Sequence, residues 1–548
     1  MLLDYNSTRD LFFLKVSRVE ADPRVLMREY GLTFSQPAST PDVACLFTAE
    51  PYVAAAFVHC ATSGAREALQ WITERVAASW ATDSGRHISV PDGRALWPFQ
   101  RASVAYSLDR QHSLIGDQPG LGKTMSAIAI SNEMQCEHNV VVCPASIRYQ
   151  WAEKILDWDT GHLTLRDIAI IISSKRGVPT PLKKWTIISW DLVRSPGIWR
   201  ALAKESFDLL VLDEAHYAKH GDAKRTRSIF GGGDNPVADP LISRAKKVVA
   251  LTGTPLPKRP LEAYVLARHL CWDSIDFMSE DAFADHYNSV ETGFNAQSGS
   301  FYRSEWVGNE AELQARLRAN FMVRHLKRDV MADLQYPAFD LIHVEETGAV
   351  KAALAAERLL DIDPSTLAGR DAVALGHIAS ARQQMGAAMA PQVGNYVAAL
   401  LDGGEEKLVL FAWHIQVLDM LEERLSEYGV IRVDGSDGAK RKYTKVQEFI
   451  NDPDKRIILG NVLSLGTGTD GLQHVSNHGL LAEADWIHGN NEQCADRLDR
   501  GGQRAKVQFD IFVAPGSISE KVLAVSLQDA RITTKCLDRL VTDAIQFD

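Results

Sequence analysis

A chain of 548 residues, 46% hydrophobic and 24% charged, has ordinary globular usage, which excludes a disordered or low-complexity protein. Its length predicts about three or four domains. The net charge of −11 argues against a surface coated in positive charge but leaves room for local basic grooves.

Residues 1–90 mix a strand-like run, LFFLKVSRV, with a helically spaced one, REALQWITERVAASW, and carry no motif with a chemical role. They are read as an N-terminal accessory domain of unknown role. Asp4 stands where a signal peptide needs positive charge, and no apolar stretch in the chain reaches the roughly 18 residues of a membrane span. The seven cysteines form no CxxC pair, which favours a reducing compartment over a disulfide framework or a zinc site.

From residue 91 to 340 apolar runs alternate with helical stretches: HSLIGD, NVVVCP, IAIIIS, TIISW, LLVLDE and VVALTG. Continuous hydrophobicity between turn residues suits strands buried on both faces of a parallel sheet. Within this span, residues 265–330 form an insertion of helices plus a polar stretch, ETGFNAQSGSFYRSEW, read as a surface loop. Residues 341–404 are alanine-rich at helical spacing and read as a helical insertion. The strand grammar returns over 405–548 in KLVLFAW, VIRVDG, RIILGNV, GLLAEAD and FDIFVA. The fold class is therefore α/β, with two parallel-sheet lobes, helical insertions and a small mixed N-terminal domain.

The run SLIG leads into DQPGLGKT (Asp117, Gln118, Pro119, Gly120, Leu121, Gly122, Lys123, Thr124) and then a good helix. Strand, glycine loop and helix make an arrangement that holds a triphosphate, because loop N–H groups and the helix N-terminus attract negative charge. Lys123 is placed to reach the β and γ oxygens, and the Thr124 hydroxyl to ligate Mg²⁺. Asp117 breaks the strict GxxxxGK[ST] pattern, so a plain strand–helix turn stays open on spelling alone. FDLLVLDEAH puts Asp213 and Glu214 at the end of a buried strand, where adjacent carboxylates are costly unless used. Asp213 is assigned to the metal shell, Glu214 to orienting and deprotonating the attacking water, and His216 to a link with the neighbouring lobe. Upstream, Gln100 in LWPFQ has an amide that can pair with the two-sided edge of adenine.

Taken together, the ordered motifs resemble superfamily-2 helicases, and within them the Swi/Snf-type DNA translocases. LWPFQ resembles the adenine-reading motif, DQPGLGKT motif I, VVCPASIRYQW motif Ia, DEAHYAKH with KRT motif II, LTGTPLPKRPLEAY motif III and MVRHLKRDV the lobe-linking segment. KLVLFAWHIQVLDMLEERL with VDGSDGAKR resembles motif IV, LSLGTGTDGLQ motif V and QCADRLDRGGQ motif VI. The likeness spans about residues 95–530. FAWHIQVLD and TPLPKRPLE give it the flavour of HepA-related annealing helicases in a compact bacterial or phage form. Gln118-Pro119 replaces Glu-Met in motif I, GTGTDG departs from the usual motif V, and RLDRGGQ replaces RxHRIGQ in motif VI.

The resemblance implies two RecA-like lobes and a DNA-dependent ATPase, with ATP and Mg²⁺ as cofactors and lobe closure coupled to hydrolysis. Arg497 and Arg500, three apart on an expected helix, would reach from lobe two into the ATP held by lobe one. Thr252, Gly253, Thr254 and Gln493 would couple the two sites. Ser146, Ser189, Trp190, Trp413, His414, Thr467 and Thr469, which follow strands, are candidates for sequence-blind DNA backbone contacts. Arg324, Lys327 and Arg328 read as a solvated linker face rather than a DNA flank. The expected partner is duplex, forked or branched DNA more than RNA. No membrane is expected, the sequence leaves protein partners open, and the chain is expected to work as a monomer in the cytoplasm of a bacterium or an infected host. Duplex tracking is preferred over strand separation because no wedge-like hairpin is legible. A conventional strand-separating DNA or RNA helicase and an ATP-switched nucleic-acid-binding scaffold are the competing readings.

Overall fold

The computed structural model describes all residues except 232–238, 257–258, 296–299, 332–336, 359–371, 467–468 and 539–548. In it the apolar runs become two parallel sheets. The first orders its strands Met322–Val323, His112–Ile115, Ala245–Leu251, Phe207–Asp213, Asn139–Cys143, Trp185–Ser189 and Ile168–Ile170. Alternate residues of one strand serve opposite faces: Leu210 and Leu212 join one core, Leu209 and Val211 the other. Both faces are covered, so every position is apolar and the run reads as continuous. The register sets Ile115, Leu251 and Asp213 level with one another. The segments that follow them, motif I, motif III and motif II, therefore emerge side by side at the carboxyl edge, where open α/β sheets bind ligands.

The second sheet runs Ala338–His343, Gln508–Val513, His478–Leu481, Leu408–Ala412, Ile457–Asn461 and Val430–Val433, again parallel throughout. Its edge strand pairs in register from Ala338↔Gln508 to His343↔Val513. Residues 338–340, read as the end of the first lobe, thus belong to the second sheet, because the open edge of Gln508–Val513 takes them as a pairing partner. Helices Gly348–Arg358 and Ala372–Asp402 fall in the alanine-rich span. They bury Val350, Met385, Val393 and Leu401 against Leu408 and Leu410 of that sheet.

The stretch read as a surface loop is instead an antiparallel hairpin, Asn288–Asn295 paired with Ser300–Val307. Its β-branched and aromatic residues, Val290, Thr292, Phe301, Tyr302 and Trp306, outweigh the polar ones that suggested a loop. The absence of a hairpin consequently no longer favours duplex tracking.

The N-terminal residues form a four-stranded antiparallel sheet ordered Leu2–Asn6, Leu11–Ser17, Val43–Thr48 and Thr33–Phe34, with helix Ser63–Trp80. Leu69 and Ile72 share a core with Ala315 and Ala319 of helix Glu310–Asn320. Buried Arg316 ties the two together, pairing with Glu312 at 2.7 Å and Glu50 at 2.6 Å. At the other end of the chain, helix Ile518–Leu537 returns to lobe one, where Asp538 grips the Arg324 guanidinium through both carboxylate oxygens at 2.6 and 3.1 Å. Among the described residues no helix is long and apolar enough to cross a membrane.

Candidate functional site

The loop after His112–Ile115 turns through Gly120 (φ 87°) and Gly122 (φ 77°), left-handed conformations that favour glycine. A Cβ on Gly120 would lie 3.0 Å from Arg500 Cγ of the other lobe, so a side chain there would press on the contact between the lobes. Helix Lys123–Glu133 starts at once, aiming its free N–H groups into a cleft of about 500 Å³ between the lobes. Pro119, Gly120, Gly122, Lys123, Thr124, Asp213, Glu214 and Gly253 line it from lobe one, and Gln493, Arg497 and Arg500 from lobe two. Lys123 Nζ donates to the carbonyls of Asp117 (2.7 Å) and Gln118 (3.2 Å), a tether it must release to reach a phosphate. Burial lowers its pKa, and the carboxylates of Glu214, Asp117 and Asp213 oppose that shift.

Two indoles fix Asp213, the first of the acidic pair. Trp151 Nε1 donates to Asp213 Oδ2 at 2.7 Å, and Trp190 Nε1 to the Asp213 carbonyl at 2.7 Å. Burial, with the charge of Glu214 added, pushes Asp213 up to about 7. Burial raises Glu214 as well, against the pull of Lys123, Arg497 and Arg500. Glu214 sits at φ 51°, ψ 53°, a left-handed conformation that costs a non-glycine residue roughly 1–3 kcal/mol. Its Oε2 is buried without a well-formed hydrogen bond, 3.3 Å from His216 Nδ1. Glu214 as a residue lines the polar cleft, and a strained carboxylate there is suited to receive a proton from a water bound beside it.

His216 does not touch the neighbouring lobe, the link assigned to it; its partners belong to motif III of its own lobe. Its Nδ1 lies 3.0 Å from Thr252 Oγ1, and Thr252 Oγ1 accepts the Thr254 N–H at 3.1 Å. Burial lowers its pKa to about 4, so the ring is neutral at pH 7. A Cβ on Gly253 would strike the Pro119 ring at 2.6 Å, and one on Gly489 of lobe two would touch the Thr254 methyl at 3.0 Å. Motif III is thereby wedged between the phosphate loop and the second lobe.

Arg497 and Arg500 occupy the turn after helix His488–Ala495, not a helix as expected. The Thr469 carbonyl accepts from Arg497 Nη1 at 2.8 Å and from Arg500 Nη1 at 3.1 Å, which brings both heads to one wall of the cleft. Arg497 Nε is buried without a partner. Burial, with Arg500 beside it, lowers Arg497 to about 9, still charged at pH 7. A single cleft therefore holds a lysine from one sheet, two arginines from the other and an acidic pair between them.

Several assigned residues face elsewhere. Gln100 is buried: its Oε1 accepts the Trp97 N–H at 3.0 Å and its Nε2 donates to the Leu121 carbonyl at 3.0 Å. It holds the phosphate loop from behind and does not line the cleft, so adenine reading is not its role in this geometry. Asp117 turns inward to His325, accepting from its backbone N and meeting its Nδ1, each at 2.8 Å. Gln118 Oε1 accepts the Lys327 N–H at 2.7 Å, and Leu121 is fully buried. These three build the loop's rear rather than its phosphate face. The DNA candidates shift too. The Ser189 hydroxyl caps a helix by accepting from Leu192 N, and buried Trp190 supports Asp213. The Thr469 hydroxyl is spent on the Leu465 carbonyl. Glu483 pins Trp413 and His414 through their backbone N–H groups at 2.9 Å. Ser146 shares a small interlobe recess with Thr469, and Thr467 lies outside the described residues.

Two residues of the quoted motifs take roles that the motif reading did not give them. Trp97 lines the cleft with its indole 40% exposed, and a Cβ on Gly501 would come within 2.7 Å of it. The glycine that departs from the RxHRIGQ pattern is what leaves the indole room. Arg324 is buried, not solvated, and donates to the carbonyls of Gly116 (2.5 Å) and Gly253 (2.9 Å). A signal existed for it: a cation immediately after a short apolar run is placed to end inside the sheet edge that the run joins.

An SNF2-related domain signature matches residues 66–349. The chain is 26% identical over 496 residues to the DNA annealing helicase and endonuclease ZRANB3 of Bos taurus, covering 88% of this chain and 43% of that protein. It is 27% identical over 441 residues to the SWI/SNF-related matrix-associated actin-dependent regulator of chromatin subfamily A-like protein 1 of Xenopus tropicalis, covering 78% and 43%. The chain thus spans under half the length of these curated relatives. A solved structure described as the Sulfolobus solfataricus SWI2/SNF2 ATPase core in complex with dsDNA covers 81% of this chain and 97% of its own, at 17% identity and a TM-score of 0.36. With the signature extending over more than half of its residues, the chain belongs to the SNF2-related family.

Proposed function

We propose that the chain is an ATP-dependent DNA translocase, a motor that tracks along duplex or branched DNA and remodels DNA or its protein complexes. One observation carries the reading: Lys123, Glu214, Arg497 and Arg500 line the same interlobe cleft, although lysine and arginines come from different sheets. The triphosphate lies along the N–H groups of Gly120, Gly122 and Lys123, with the freed Lys123 ammonium on its β and γ oxygens. The Thr124 hydroxyl and the Asp213 carboxylate are hard oxygen donors on the cleft wall and fit Mg²⁺, which would neutralise phosphate charge when bound. The Glu214 carboxylate orients a water and takes its proton, while Arg497 and Arg500 stabilise charge on the transferring phosphoryl. The exposed Trp97 indole offers a flat face for the base.

Because the arginines come from lobe two, turnover requires a closed seam, and each cycle of closing and opening moves one lobe's grip past the other's. Both halves of the site belong to one chain, so a monomer suffices. The names of the relatives, DNA annealing helicases among them, support DNA as the track. The hairpin Asn288–Asn295/Ser300–Val307 supports a second reading, in which the motor also parts strands. A triplex-displacement assay on a duplex track, beside strand displacement on a matched fork, separates the two. ATP-dependent triplex loss without unwinding is expected. Unwinding without triplex loss would replace translocation with conventional helicase action.

A further inference from the structure

Behind the phosphate loop, on the side away from the cleft, one lysine ties the lobes together. Lys327 Nζ lies 2.5 Å from Asp496 Oδ1, 2.7 Å from Asp499 Oδ2 and 2.5 Å from the Asp499 carbonyl. All three side chains are less than a tenth exposed. Lys327 follows the last strand of the first sheet, whereas Asp496 and Asp499 bracket Arg497, and Asp499 immediately precedes Arg500. The backbone N–H of Lys327 is bound by Gln118, and Gln118 N donates to the His325 carbonyl at 3.0 Å. A short relay therefore runs from the rear of the phosphate loop through Lys327 to the turn that carries both arginines. Arg500 Nε joins that turn by donating to the Asp496 carbonyl at 2.6 Å.

Such a cluster is costly. One ammonium serves two buried carboxylates, and Asp496 Oδ2 and Asp499 Oδ1 are left without partners. Buried ion pairs add little net stability for their desolvation, and their best-attested use is to fix one register among alternatives. Asp499 is also a departure from the RxHRIGQ pattern, standing where that pattern has histidine. The departure gives Lys327 a second full negative charge to hold.

We propose that Lys327 is a positioning residue: its lock on Asp496 and Asp499 holds the arginine turn against lobe one, so Arg497 and Arg500 face the cleft before nucleotide arrives. The inference rests on the motor reading above. The lock acts through the arginines and touches no substrate, so its loss slows the chemical step more than it weakens nucleotide binding.

The test compares the full chain with Lys327→Met, which keeps the stem and removes the charge, and with the milder Asp499→Asn. Two readouts are taken: DNA-stimulated ATP turnover, and the distance between dyes at exposed Lys204 and Glu427 without nucleotide. Both variants are expected to lose kcat by on the order of tenfold or more while KM for ATP moves less than about threefold. Their dye distance lengthens without nucleotide and returns to the parent value with a saturating non-hydrolysable ATP analogue. Wild-type kcat and an unchanged distance in Asp499→Asn would overturn the lock, even if Lys327→Met fails to fold. A parent chain that turns over no ATP would overturn the motor reading instead, and the dye distance would still decide the lock.

Discussion

Glu214→Gln binds ATP and DNA as the parent does but hydrolyses ATP roughly 10²–10⁴-fold more slowly, the span a positioned general base supplies. Glutamine keeps the size of the side chain and accepts the strained backbone without adding bulk to the cleft. What it removes is the carboxylate charge that would take the proton of a water in the cleft that Glu214 lines. The substitution also takes a negative charge away from Asp213, whose pKa that charge helps to raise. Binding of nucleotide and metal is therefore kept or tightened while the proton has nowhere to go. Single-turnover hydrolysis beside equilibrium binding of a fluorescent ATP analogue separates these effects. Turnover at the parent rate would take the base role from Glu214.

Arg497→Ala and Arg500→Ala are each expected to cost about 10³–10⁵ in kcat, the range for arginines that stabilise a phosphoryl transition state. Their loss should not be additive, since residues acting on one transition state fail as a unit. The double variant is thus expected near the worse single one. Lysine does not substitute, because it lacks the planar fork that meets the Thr469 carbonyl and a phosphate oxygen together. Arg497, with its buried and unpartnered Nε, is expected to show the larger loss. Steady-state ATPase measured at saturating DNA checks all three variants. Losses below about threefold would place the guanidiniums outside the transition state.

Much of this architecture was legible because strands buried on both faces print themselves as continuous apolar runs. The runs ending at Ile115, Asp213 and Leu251 marked where motifs I, II and III would surface, and the sheet register sets those ends level. Spacing, however, does not say which way a side chain faces. In DQPGLGKT the residues that reach the cleft are those whose backbone or tip points along the helix axis, whereas Asp117 turns back to His325, 208 residues away in sequence. No local pattern encodes a pairing at that distance. Gln100 fails for the same reason, since its amide is consumed by the loop behind which it sits. Hydroxyls after strands were offered to DNA, but the same position is a helix N-cap, and Ser189 answers to that local demand. Lys327 was read as solvated because a charged residue on a short helix usually is. Its partners lie in the other lobe and are invisible until the seam is closed.

The central claim is that ATP is spent at a seam whose closure DNA controls. ATP turnover with and without duplex DNA, at one fixed ionic strength because polyanion affinity falls steeply with salt, tests it most directly. Low basal turnover that rises at least about tenfold with duplex DNA, and less with RNA, is the expected result. Turnover indifferent to every nucleic acid would contradict the account, because completing the site would then not depend on a DNA track.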